Sequence, residues 1–374
     1  MKVIEYIKNL GLEALKENKA IKVREYDDRI VLNYNQIDSP KFDKITQECR
    51  GLILSWPNLD ILSRSFDRFF NYGEGSTPKK IKDWSGYIGY EKLDGSLINV
   101  YWDFINNEWI AATRGMAFAE GNTTYGDGKL FQDIIHKSVN DGTDYESLEE
   151  LCEDSFDKDY TYIFEVVSPE TRVVKPYNEY RLILLAVRNK ITGDYVSDKD
   201  LEVVSQTTGI RLPIFYEFDT IEDCVKSSTE MDSPFDEGYV LWNPNTNHRI
   251  KVKNPAYVAI AHMRQDGVLS EKRIVLLIFK NDQAEYLNLF PEDQKFFDPY
   301  IEAYGKLKIE VNKTWEANRY IADQREFAMQ VKDTKVKTFM FNMRKGVSIG
   351  ATIERMTDST KLEILKRFIN GKGN

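Results

Sequence analysis

Between about residue 20 and residue 255 the chain consists of short runs rich in β-branched and aromatic residues, each closed by a turn signal. RGLILSW (50–56), GYIGY (86–90), SLINVYW (96–102), EWIAAT (108–113), YTYIFEVV (160–167), RLILLAV (181–187), GYVLW (238–242) and HRIKVK (248–253) are examples. Runs of this length and composition read as strands. After Asn254-Pro255 the period changes. In AYVAIAHMR, EKRIVLLIFK, the long segment from FFDPYIEAYG to REFAMQVK, and STKLEILKRFIN, apolar residues recur every three or four positions, which is the spacing of helices. This switch restricts the fold to an α+β domain with largely antiparallel sheets over 1–255, followed by an all-helical domain over 256–374. Helical stretches near 127–140, 145–153 and 197–207 interrupt the strands. The amphipathic start, MKVIEYIKNLGLEALKENK, predicts a surface helix rather than a signal peptide.

The 374 residues suffice for two domains with cores of their own. No run of about 18 apolar residues occurs, so no membrane span is expected. Cys49, Cys152 and Cys224 lack CxxC spacing, which implies reduced thiols, a cytoplasmic setting and no zinc site. The net charge is -9, but residues 331–374 hold ten Lys and Arg against four Asp and Glu, a local +6. A basic segment on an acidic body is either a contact for a phosphate backbone or a helical face that balances the body.

Several stretches could carry chemistry. In YEKLDGSL (90–97), Lys92 precedes an Asp94-Gly95 turn signal. It is either a solvated lysine or a nucleophile. A lysine amine titrates near 10.4, and lowering that by about 3 units requires about 4 kcal/mol of differential interaction. A nucleophilic Lys92 therefore predicts cations around it. HRIKVKN can supply them, because strand alternation puts Arg249, Lys251 and Lys253 on one face and Ile250 and Val252 on the other. The same pattern also suits a solvated basic face. DEGYVLWNPNTNHRIKVKN reads as a β-hairpin; a turn centred on Asn245 sets Glu237 opposite Lys253 and Tyr239 opposite Lys251. In YTYIFEVVSP the single charge, Glu165, lies among apolar residues and should point inward, as a ligand or as half of a structural ion pair.

Asp94, Glu165 and Glu237 form a possible carboxylate set. His136, His248 and His262 are scattered, and oxygen ligands alone favour magnesium or manganese, held through water. Upstream, ECRG places Arg50 at a strand entrance, and SRSFDRFFN groups Arg64, Arg68, Phe69 and Phe70; ATRG adds Arg114. Arginines suit phosphate and aromatics can stack on bases. Core phenylalanines with surface arginines are the other reading. Neither a Walker A loop nor a GxGxxG helix start is present.

Taken in order, these pieces resemble the covalent nucleotidyltransferases, the polynucleotide ligases and mRNA capping enzymes. EKLDGS is similar to their Lys-x-Asp-Gly motif; FEVVSP, RLILLAVRN, DEGYVLW and IKVKN resemble their later motifs. ECRG and RSFDRFFN resemble specifically the bacteriophage RNA ligase 1 family, over about residues 45–255. The resemblance implies a ligase adenylation domain and a helical C-terminal domain that recognises RNA. It implies an ATP-dependent RNA ligase, cytoplasmic (in an infected host cell if phage-encoded), that joins 5′-phosphate and 3′-hydroxyl ends through lysyl-AMP and adenylated RNA.

By the same resemblance Lys92 takes up AMP. Arg50, Lys251 and Lys253 bind phosphates and offset transition-state charge. Glu165 engages the ribose or hydrated magnesium, Glu237 the metal shell, and Asp94 and Gly95 shape the loop and orient the metal complex. Arg68 and Phe70 are a basic-aromatic pair at the nucleotide, and Arg114 is a further ligand; arginine stands at 68 and 114 where a close relative is expected to have lysine. The cofactors implied are ATP with magnesium or manganese, and the partners are single-stranded RNA ends, with broken tRNA as a candidate. A capping guanylyltransferase or DNA ligase, or a non-catalytic RNA-end binder, are the alternatives; the first two usually carry a β-barrel where this chain turns helical.

Overall fold

The computed structural model describes residues 1–74, 83–84, 86–122, 130–264 and 269–369. The chain divides into two compact units, 1–267 and 268–374.

Thirteen strands are described in the first unit. In chain order they are β1 (Ile21–Glu25), β2 (Arg29–Tyr34), β3 (Arg50–Ser55), β4 (Ile61–Ser63), β5 (Phe70–Asn71), β6 (Ile88–Glu91) and β7 (Ser96–Asp103). They continue as β8 (Glu108–Thr113), β9 (Tyr160–Val167), β10 (Arg181–Asn189), β11 (Phe215–Tyr216), β12 (Gly238–Asn243) and β13 (His248–Lys253). They form three sheets, ordered β1-β2-β3-β4, β10-β9-β7-β8 and β11-β6-β12-β13-β5. Every pairing of these strands is antiparallel except the parallel contact of β13 with β5. The expected α+β architecture with antiparallel sheets is therefore present. All eight runs quoted above form strands, whereas β1, β2, β4, β5 and β11 come from less conspicuous sequence.

The middle sheet is packed on both faces. Tyr162, Phe164 and Val166 of β9 meet the helices Phe131–Gly142, Leu148–Ser155 and Asp198–Thr208 in one apolar cluster. These helices fall where the periodicity placed them, although residues 127–129 of the first expectation lie outside the described residues. On the other face Tyr101, Ile110 and Ala112 meet Val31, Ile53 and Leu62 of the first sheet. The five-stranded sheet packs Tyr239, Leu241, Ile250 and Val252 against Ile221 and Cys224. The three cysteines are buried free thiols.

The N-terminal segment departs from the single helix expected of it. Gly11, with φ +86°, breaks it into Lys2–Leu10 and Leu12–Lys19. Val3, Ile7, Leu12 and Leu15 pack under the first sheet with Leu32 and Leu52. A left-handed glycine admits that break without the penalty a side chain would incur.

The second unit is helical: Glu271–Lys280, Gln283–Leu289, Gln294–Asn318, Gln324–Val331, Lys337–Arg344, Ile349–Glu354 and Asp358–Ile369. Its interior holds Val275, Phe290, Phe297, Val311, Phe327, Phe339 and Leu365. The long segment read as continuous helix is interrupted after Asn318, and Asp323 restarts it by accepting the backbone N–H groups of Arg325 and Glu326. Among the described residues no helix is long and apolar enough to cross a membrane.

Candidate active site

Lys92 follows β6 directly, and its backbone N–H donates to the carbonyl of Gly238 on β12 at 2.8 Å. The chain then turns into β7. At that turn Gly95 lies against β9: a Cβ there would stand 2.3 Å from the carbonyl oxygen of Val166 and 3.1 Å from the Glu165 side chain. Glycine is thus required by close approach, and the approach brings the lysine loop to the strand that carries Glu165.

Between the five-stranded and middle sheets lies a cavity of about 270 Å³. Lys92, Glu165, Arg50, Lys251 and Arg249 line it, with Phe69 and Trp242 among its apolar walls. Alternation along β13 supplies the two cations, while Ile250 and Val252 face the core behind. Arg249 is held among the rings of Tyr195, Phe66 and Trp242, at 4.1, 4.7 and 4.8 Å. The Lys251 ammonium lies 4.6 Å from the centre of Phe69.

The hairpin register differs by one residue from the expectation. The closing pair is Asn243 with His248, so Lys253 faces Gly238 and Lys251 faces Val240. The reason is local. Asn243 Oδ1 accepts the N–H groups of Asn245 and Thr246, which sets a four-residue loop rather than one centred on Asn245. Glu237 sits just before β12 and still reaches the cations. Its Oε2 is 2.7 Å from Lys92 Nζ and its Oε1 is 2.8 Å from Lys253 Nζ.

That clamp corrects the expected state of Lys92. Burial pulls its pKa down, but Glu237, Glu165 and Asp94 more than offset this, and the amine ends above its ordinary value. The expected cations are close by, Lys251 on the same cavity and Lys253 on the same carboxylate, but at Lys92 the carboxylates prevail; it is Lys251 that the cations depress. Burial first, then Arg50, Lys92 and Lys253, bring Lys251 down to about 7. Burial raises Glu165 to about 8 despite Lys92 nearby, whereas Lys92 and Lys253 hold Glu237 below its usual range despite burial.

Asp94 is committed to the fold. Its carboxylate accepts the N–H groups of Val173, Val174 and Lys175, together with the hydroxyl of Tyr257 at 3.0 Å. Its own N–H donates to the Tyr177 hydroxyl at 3.3 Å. Tyr257, on the helix Pro255–Arg264, is buried and latches the lysine loop to the segment that follows β13. Neither tyrosine stood out in the sequence, because a hydroxyl inside an apolar stretch reads as core.

The remaining expected residues are distributed differently. Arg50 lines the cavity, and its Nη1 is buried without a hydrogen-bond partner. Arg68 and Phe70 line a neighbouring groove instead, with Arg68 3.9 Å over the Tyr34 ring and 5.4 Å over Phe70. Arg114 is exposed, 5.7 Å over the same Tyr34 ring, and lines neither space. Phe69, not Phe70, enters the lysine cavity. Of adjacent aromatics on an irregular run, only the tertiary path decides which turns inward.

The three carboxylates do not gather as direct ligands of one ion. Among the described residues no group of three His, Cys, Asp or Glu side chains is positioned to hold an ion. The Asp94 oxygens are saturated and those of Glu237 are held by two lysines, which leaves Glu165, of the three, turned to the cavity.

The chain is 29% identical over 380 residues to "Putative bifunctional polynucleotide kinase/RNA ligase" of Autographa californica nuclear polyhedrosis virus, with 98% of this chain and 53% of that protein covered. It thus spans about half the length of that relative. It is 23% identical to "RNA ligase" of Rhodothermus phage RM378, over 88% of this chain and 87% of that one. Among solved structures it is similar to "Archaeal ATP-dependent RNA ligase - form 1", with a TM-score of 0.46 and 12% identity over 95% of this chain and 81% of that chain. A family model described as RNA ligase matches residues 48–257, a span that includes Arg50, Lys92, Glu165, Glu237, Lys251 and Lys253, and the chain belongs to that family.

Proposed function

We propose that the chain is an ATP-dependent RNA ligase that joins a 5′-phosphate to a 3′-hydroxyl, with Lys92 as the residue that carries AMP. The observation that supports this most is the Lys92 amine at a cavity beside Arg50 and Lys251, with Glu237 joining it to Lys253.

In the first step Lys92 Nζ attacks the α-phosphorus of ATP; an N–P bond forms and pyrophosphate leaves. The amine must give up its proton first, and Glu237 Oε2, 2.7 Å away, lies within reach to accept it. Arg50, with an unpartnered buried N–H group, and Lys251 offer donors where negative charge builds on phosphate oxygens. Glu165, its carboxyl raised to about 8, carries a proton near neutral pH and offers a hydroxyl donor to the sugar or phosphate. In the second step a 5′-phosphate oxygen attacks the same phosphorus and the lysine leaves. In the third a 3′-hydroxyl attacks the RNA phosphate and AMP leaves. Covalent catalysis thereby splits one displacement into easier ones.

A divalent cation, magnesium or manganese, would arrive with the triphosphate and its own waters, and Glu165 on the cavity wall would meet those waters. The helical unit 268–374 is the proposed RNA-recognition element, and broken tRNA is a candidate substrate.

Incubation of a 5′-phosphorylated single-stranded RNA with ATP and magnesium should yield circles and adenylated RNA on a gel. Labelled ATP should mark the wild-type protein, and Lys92→Ala should lose at least about 10³-fold of that labelling with its circular dichroism unchanged. Sealing by Lys92→Ala starting from ATP would defeat the mechanism. Labelling by GTP in place of ATP would favour a capping enzyme.

A further inference from the structure

Next to the lysine cavity lies a larger open groove of about 540 Å³, and the two share Phe69 and Arg249 as walls. Lys44, Arg64, Arg68, Arg188 and Arg249 face this groove against two carboxylates, Asp67 and Asp194. Asp67 is already engaged by Lys44 at 2.6 Å and Arg188 at 3.0 Å. Two guanidinium groups are left with unmet donors. Arg68 is 5% exposed, and its Nη1 is buried without a hydrogen-bond partner; Arg64 Nε is in the same condition. A buried donor left unpaired is costly, so two of them on one basic groove mark a place for an anion. At the same groove Phe42, 47% exposed, and Phe70 lie 4.9 Å apart, presenting an aromatic surface to solvent.

We infer that this groove holds the 5′-phosphorylated end of a single-stranded RNA, with Arg64 and Arg68 on the terminal phosphate and Phe42 with Phe70 as the platform for its base. The inference rests on the ligase reading above and adds to it the side from which the RNA approaches. A terminal phosphate dianion matches paired guanidinium groups, and base stacking on aromatics tolerates any sequence. The shared walls, Phe69 and Arg249, set the groove next to the cavity that holds Lys92, so RNA held there approaches the adenylated lysine from this side.

The test uses enzyme preloaded with labelled AMP and freed of nucleotide. It is mixed with a short 5′-phosphorylated RNA, and transfer of label to RNA is followed against RNA concentration. Phe42→Ala and Arg64→Gln should each raise the RNA concentration for half-maximal transfer about tenfold. The rate at which Lys92 takes up AMP should stay within about twofold of wild type. A 5′-hydroxyl RNA of the same sequence should compete about tenfold more weakly than the 5′-phosphorylated one. Wild-type half-saturation in both variants, or equal competition by the 5′-hydroxyl RNA, overturns the assignment of the groove. A wild-type protein that takes up no AMP overturns the ligase reading itself. Phe42 is exposed, so its variant tests the site even if Arg64→Gln disturbs folding.

Discussion

Two basic stretches stand out in this chain, and they are put to different use. Strand β13 places Arg249 and Lys251 in a cavity beneath a second sheet, where burial and like charges depress the Lys251 amine to about 7. The stretch 331–374 is richer in cations, yet much of its charge is exposed or spent on its own fold. Arg344 donates to the carbonyls of Ile321 and Ala322, both at 2.8 Å, and Lys335 donates to the carbonyl of Arg367. A count of positive charges therefore identifies neither a site nor its strength; burial beside unmatched charge does.

The sharpest way to break the β13 side of this contrast is at the turn that presents Lys92 to it. Gly95→Ala must displace either the loop or β9, so AMP uptake should fall about 100-fold. Stability should drop by about 1–3 kcal/mol. Normal labelling would show that the close approach of loop and strand is dispensable.

The pH dependence of stability should separate the buried charges. The Glu165 carboxyl, raised to about 8, keeps a proton in the folded state that the unfolded chain releases from about 4.5. Its contribution is therefore lost as pH rises from about 4.5 to 8. Lys251, lowered to about 7, lacks in the folded state a proton that the unfolded chain keeps up to about 10.5. Its penalty is complete below 7 and fades as pH rises toward 10.5. Denaturant titrations should thus show Glu165→Gln gaining on wild type from pH 5 to 9 and Lys251→Met gaining most at the acid end, each on the order of 1–2 kcal/mol. Arg50→Gln should raise the Lys251 titration seen by NMR. Flat differences across pH would mean that the cavity is wetter than its walls suggest.

Tyr257→Phe removes one donor from the Asp94 carboxylate and should cost about 1–2 kcal/mol. If the hydroxyl positions the lysine loop, the turnover number for AMP uptake falls while the KM for ATP holds; equal change in both would make Tyr257 a general packing residue.

The smallest effects belong to the helical stretch. Lys337→Ser with Lys345→Ser, both exposed, should leave stability within about 0.5 kcal/mol. The same pair should lower the salt dependence of RNA binding by about one unit of slope for each RNA phosphate that is no longer neutralised. Arg344→Ser should instead cost about 1–2 kcal/mol, since two carbonyls lose their donor. Unchanged RNA binding in the double variant would leave β13 and the groove beside it as the contact surfaces to pursue.

Much of this molecule is legible in its sequence. The change of period after residue 254, the eight strands, the alternation along β13 and the order of the motifs are local properties of the chain, and the period of a strand or helix is written in consecutive residues. Other features depended on what lies across the fold. The hairpin slipped by one residue because of one asparagine side chain. Phe69 rather than Phe70 turned into the cavity, Asp94 was absorbed by four donors, and the lysine expected to lose its proton is held charged by Glu237, 145 residues away. Alternation fixes which face a side chain takes but not what it meets there, and charge and hydrogen-bonding energies depend on those distances.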